Sequence, residues 1–203
     1  MNPQVFIFIG RSGCGKGSQA KLLMEELEKW QPPREILYLQ TGALIREFIK
    51  GENYSARRAK EIYDAGDRQP DFLAVHMWSN FLIERLKEDT SQSIVADGTP
   101  RSLNEAKMLD TAFGWMYGIK NRMVFYINVS NEWSMEHLLA RGRMDDNEKD
   151  INERLKWFDT DVLPAVEYYR SNPEYQFVEI NGEQTIEEVF GDIKTAAKGK
   201  LFL

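Results

Sequence analysis

The chain has 203 residues, with 26 Lys plus Arg against 32 Asp plus Glu, a formal net charge of −6, and 42% hydrophobic and 12% aromatic residues. Those values exclude a disordered chain and fit one domain spanning residues 1–203, whose core buries roughly 70% of the unfolded surface without staples. A single cysteine, Cys14, excludes an intrachain disulfide and a cysteine-based zinc site, and the acidic balance speaks against nucleic acid or an anionic membrane as partner, since both select basic surfaces.

Residues 5–9, Val-Phe-Ile-Phe-Ile, form an unbroken β-rich run with no polar alternation, the pattern of a strand buried on both faces of a parallel sheet. No Lys or Arg precedes that run and it is too short for a signal-peptide core or a membrane span, so the expected location is the cytoplasm. A helix follows Gly10, with Ala20, Leu23, Met24 and Leu27 on one face, and Pro32 and Pro33 break it. Residues 35–39 read as a second strand, and helical segments then run to about residue 88, interrupted near Gly51 and at 66–70. The last of these is an amphipathic helix over 71–87, with Val75, Trp78, Leu82 and Leu86 in line. Residues 93–97, 123–129 and 175–180 complete five strands separated by helices. The expected fold class is α/β, a five-stranded parallel sheet flanked by helices, with ligands bound beyond the carboxyl ends of the strands.

Between the first strand and the first helix stand Gly10, Gly13, Gly15, Lys16, Gly17, Ser18 and Gln19. Glycines there let successive N–H groups converge on anionic oxygens, the helix start adds partial positive charge, and a lysine reaches terminal phosphates. The pattern departs from strict Walker A because Gly17 follows the lysine and the hydroxyl comes at Ser18. Asp97 closes the third strand after Ile94 and Val95, a Walker B placement that delivers one carboxylate to the sheet edge, where it can orient the water shell of Mg²⁺.

This glycine pattern resembles that of the adenylate kinase family of nucleoside monophosphate kinases, and three later segments resemble the family's in order. They are Thr41-Gly42-Ala43-Leu44-Ile45-Arg46, then Asp97-Gly98-Thr99-Pro100-Arg101, then Arg141-Gly142-Arg143-Met144-Asp145-Asp146-Asn147. The resemblance implies reversible transfer of a phosphoryl group from Mg²⁺-bound ATP to a nucleoside monophosphate, AMP by family prior, in a monomer. It implies a helical acceptor arm near 41–70 and a very short lid near 141–147. It assigns Lys16, Arg101, Arg141, Arg143 and Arg154 to catalysis. ATP falls to Gly13, Cys14, Gly15, Lys16, Gly17, Ser18, His137 and Arg141, and the monophosphate to Thr41, Arg46, Gln69, Gly98, Arg101, Glu105, Arg143 and Arg154. Arginine suits these posts because its planar fork pairs two phosphate oxygens at once. Asp145 and Asp146 would position the lid arginines or start the next helix. No Cys or His lies in residues 138–203, so no lid zinc is expected.

The sequence leaves the family's pattern at Ala43, Thr99, Gln69 and Glu105. Four residues after Arg101 the family usually offers a glutamine amide to adenine N6 and N1; Glu105, if ionised, only accepts hydrogen bonds, which suits guanine or cytosine. Asn104 facing the base, with Glu105 a solvated helix residue, is the alternative. GMP, UMP or CMP thus remain open as acceptors, and so does a nucleotide-sensing protein without turnover. His137 stands where the family commonly stacks an arginine on the donor adenine.

Overall fold

The computed structural model describes residues 4–29, 35–87, 92–117, 121–142 and 147–201. Trp30, Pro32 and Pro33 at the expected helix break, and Arg143, Asp145 and Asp146 of the expected lid, lie outside them. Strand β1 (Gln4–Gly10) leads into helix α1 (Lys16–Leu27), and β2 (Glu35–Gln40) into α2 (Thr41–Phe48), α3 (Tyr54–Asp64) and α4 (Asp71–Arg85). Then come β3 (Gln92–Asp97), α5 (Leu103–Tyr117), β4 (Asn121–Asn128), α6 (Asn131–Arg141) and α7 (Glu148–Trp157). A π-helical turn (Phe158–Val162) joins α7 to α8 (Leu163–Ser171), and β5 (Tyr175–Asn181) and α9 (Ile186–Leu201) close the chain.

All strand pairings are parallel, in the order β2-β3-β1-β4-β5. The apolar run of β1 is explained by its central position. Val5, Ile7 and Ile9 pack into one cluster with Trp78 and Leu82 of α4, Leu109 and Phe113 of α5 and Val166 of α8. Phe6 and Phe8, alternating to the other face, pack with Leu23 of α1 and Val189 and Ile193 of α9. The chain leaves β1 toward β2 and leaves β3 in the opposite direction toward β4. A crevice therefore opens beyond the adjoining ends of β1 and β3, whose register pairs Phe8 with Asp97.

The helix expected over 71–87 ends at Arg85 instead. Leu86 turns extended (ψ 135), and the buried Gln92 side chain meets the helix end: its Oε1 accepts from the Lys87 N–H at 2.9 Å and its Nε2 donates to the Arg85 carbonyl at 3.2 Å. A side chain from the next strand thus meets the helix end two residues short of the expected bound. No helix among the described residues is long and apolar enough to cross a membrane.

Candidate active site

The loop after β1 needs its glycines for space as well as for flexibility. At Gly13 (φ +85) a Cβ would meet Leu138 Cγ and the Ser134 carbonyl oxygen, each at 2.9 Å, so α6 lies directly against the loop. At Gly17 a Cβ would stand 3.2 Å from Asp97 Oδ2, which accounts for the departure from strict Walker A: the helix backbone passes tight against the carboxylate that ends β3. Lys16 Nζ donates to the carbonyls of Gly10 at 2.8 Å and Arg11 at 2.7 Å, and lies 3.5 Å from the buried Cys14 Sγ.

That loop forms one wall of a cleft of about 560 Å³, within the roughly 300–1,000 Å³ typical of small-molecule sites. Gly13, Cys14, Gly15, Lys16, Gly17 and Ser18 line it from the loop and α1, Arg46 from α2, and Gln69 from the segment before α4. Asp97, Gly98 and Arg101 line it beyond β3, His137 and Arg141 from α6, and Arg154 from α7. Segments far apart in sequence thus bring their cations to one space. The Gly42 backbone sits between two of them: a Cβ there would lie 3.3 Å from an Arg101 Nη and 3.4 Å from an Arg46 Nη.

Thr41 and Glu105 do not line the cleft; both are 1% exposed. Glu105 is therefore no solvated helix residue. Its Oε2 accepts from the Thr99 hydroxyl at 2.9 Å, its Oε1 is buried without a partner among the described residues, and burial pushes its carboxyl above the ordinary value. Gln69 is buried to 6% exposure, its Nε2 donating to the Ala59 carbonyl at 2.8 Å. Thr99–Pro100 is a cis peptide.

The distribution of carboxylates separates two groups of cations. Among the described residues Lys16, Arg46 and Arg101 form no ion pair, and Arg101 Nε donates only to the Gly98 carbonyl at 2.9 Å. Burial lowers the Arg101 guanidinium from its ordinary value against the pull of Glu105 and Asp97, yet an arginine stays charged. Arg11 and Arg68 are neutralised. Arg11 donates to Asn131 Oδ1 and Asp159 Oδ1 at 2.8 Å each and stacks over Phe158 at 4.5 Å. Arg68 meets Asp71 Oδ1 at 2.6 Å and Asp161 Oδ2 at 3.4 Å. Asp159 and Asp161 belong to the π-turn, which ties the phosphate loop and the segment before α4 to the end of α7.

Several side chains in or behind the cleft wall carry no motif in the sequence. Trp157 lines it beside Arg101, 5.9 Å from ring to guanidinium carbon. Trp133 lines it under His137, the two rings stacked at 4.2 Å and 19°, with the imidazole Nδ1 2.9 Å from the Trp133 carbonyl oxygen. A carbonyl can only accept, so Nδ1 carries the proton and Nε2 is the acceptor of the neutral ring. The i, i+4 spacing of Trp133 and His137 on one helix was the available signal. Tyr38 and Gln40 both donate to Asp97 Oδ2, at 2.9 and 3.0 Å. No group of three or more metal-ligating side chains occurs among the described residues. Mg²⁺ needs none, because it keeps most of its waters and takes one or two carboxylates plus phosphate oxygens; Asp97 at the loop fits that donor set.

Known proteins resemble this chain along most of its length. The adenylate kinase family model matches residues 8–174. A Nostoc protein named adenylate kinase 1 is 31% identical over 189 residues, covering 93% of this chain and 95% of that protein. An adenylate kinase of Prochlorococcus marinus is 30% identical over 190 residues, covering 93% and 95%. One of Parabacteroides distasonis is 31% identical over 194 residues, covering 94% and 95%.

Proposed function

Because the chain belongs to the adenylate kinase family, we propose that it catalyses reversible transfer of the terminal phosphoryl group of Mg²⁺-bound ATP to AMP, giving ADP. The main support is one cleft in which the phosphate loop faces Arg46 and Arg101 while no carboxylate neutralises Lys16 or either arginine among the described residues. Phosphoryl transfer asks for in-line placement, charge neutralisation and exclusion of water rather than for an acid–base pair, and the cations of this cleft support the second of these.

On this reading the loop N–H groups and Lys16 hold the donor phosphates, and Arg46 and Arg101 hold the acceptor phosphate. Arg141 and Arg154, lining the cleft from α6 and α7, close on the transferring group together with Arg143. Asp97 and Ser18 would hold Mg²⁺ through its water shell, and the ion supplies charge neutralisation at the donor phosphates. His137, stacked on Trp133, offers the donor adenine a flat platform.

Glu105 favours a second reading of the acceptor. It occupies the base-reading position of the family's motif, and its Oε1 is buried and unpartnered among the described residues. An ionised carboxylate would select GMP or CMP, whereas a protonated carboxyl could donate to adenine N1 and accept from N6. Initial rates with AMP, GMP, CMP and UMP at fixed MgATP decide between them. AMP should be preferred. A strong GMP preference that Glu105→Gln abolishes would replace the AMP assignment.

A further inference from the structure

We infer that Tyr38 and Gln40 are positioning residues for the metal-shell carboxylate: by occupying one oxygen of Asp97 they fix the other as the acceptor for Mg²⁺-bound water. The inference rests on the reading of Asp97 given above. Tyr38 and Gln40 stand two residues apart on β2 and so share one face of the sheet. The β2–β3 register sets Gln40 directly opposite Asp97. Tyr38 Oη donates to Asp97 Oδ2 at 2.9 Å, and Gln40 Nε2 donates to the same oxygen at 3.0 Å and to Tyr38 Oη at 3.1 Å. Gly17 closes the same side, since a Cβ there would stand 3.2 Å from Oδ2.

An ionised carboxylate oxygen has two lone-pair directions, and Oδ2 has both filled. No hydrogen bond reaches Oδ1 among the described residues, which leaves it as the carboxylate's free acceptor. Rotating the carboxylate would break two hydrogen bonds in a site that is 7% exposed, so its orientation is set before any ligand arrives. Partners of this kind orient metal-site carboxylates elsewhere, and removing one typically weakens metal binding by about tenfold or more. Tyr38 does not line the cleft, so its hydroxyl reaches the metal site only through Asp97.

The test is ATP affinity by isothermal titration calorimetry, with and without Mg²⁺ (excess EDTA), for wild type, Tyr38→Phe, Gln40→Leu and Asp97→Asn. The readout is the factor by which Mg²⁺ tightens ATP. Asp97→Asn should remove most of that factor. Tyr38→Phe should reduce it by about tenfold while leaving the affinity in EDTA unchanged, and Gln40→Leu should reduce the factor as well. A Tyr38→Phe variant with the wild-type factor, or one whose affinity falls equally with and without Mg²⁺, overturns the inference, the second result marking a merely structural hydroxyl. If Tyr38→Phe does not fold, the Gln40→Leu factor decides alone. A wild-type factor kept by Asp97→Asn sinks the reading of Asp97 instead, and the inference with it.

Discussion

Glu105 shows how one residue can be both conspicuous in a sequence and opaque in its role. The sequence places it after Arg101 but does not say whether its carboxyl meets solvent; the structure buries it against Thr99 and raises its pKa, chiefly by desolvation. A carboxyl whose folded pKa lies above its unfolded value binds its proton more tightly when folded. Its contribution to stability is therefore full below the ordinary value of 4.5 and is lost as pH rises through the folded value. Glu105→Gln cannot ionise and keeps an oxygen to accept from Thr99. Its melting temperature relative to wild type should rise between about pH 4 and pH 8, as thermal unfolding across that range would show. A difference that stays flat with pH would mean that Glu105 carries no such penalty. Buried against Thr99 and outside the cleft lining, Glu105 by itself does not argue against adenine.

At the scale of elements, the π-turn between α7 and α8 organises the cleft more than its length suggests. It places Asp159 and Asp161 to receive Arg11 from the phosphate loop and Arg68 from the segment before α4. Arg11 is 17% and Asp159 47% exposed, so the pair is worth about 0.5–1 kcal/mol on the scale of partly exposed ion pairs, discounted for solvent screening. A double-mutant cycle of Arg11→Ala and Asp159→Ala in urea unfolding should return a coupling of about that size; strictly additive effects would deny the tie. The five strands were legible in the sequence because each is a short β-rich segment between helical periods, and their bounds shift by no more than two residues. The π-turn was not legible, since a single i to i+5 turn leaves no periodic trace. The Arg11–Asp159 contact spans 148 residues, and nothing local marks it. Hence a basic residue inside the phosphate loop, which by composition alone looks like a phosphate ligand, proves to be a brace. Lys16, Arg46, Arg101, Asp97 and His137 were legible as cleft residues because motifs, or a fixed spacing from them, mark each one. Trp157, Tyr38 and Gln40 were not, since their meeting with the site depends on packing and sheet register.

Across the whole molecule, the excess of acids and the chemistry of anions are reconciled by segregation. The net charge of −6 forbids a broad basic surface, yet Lys16, Arg46, Arg101, Arg141 and Arg154 line one cleft. The parallel sheet makes that possible, because every strand points its carboxyl end, and the loop or residue following it, to the same edge. Such a cleft suits small polyanions rather than large ones. On the proposed reading donor and acceptor phosphates share these cations, an arrangement suited to passing a group between them. The most direct measurement is nucleotide analysis of the purified protein incubated with ATP, AMP and Mg²⁺, run beside Lys16→Ala. ADP should accumulate in twice the amount of AMP consumed and fail to form without AMP, and Lys16→Ala should slow it by about 10²–10³-fold, as for loss of a principal charge-stabilising donor. A wild-type protein that binds both nucleotides yet forms no ADP with AMP or any other nucleoside monophosphate would contradict the account.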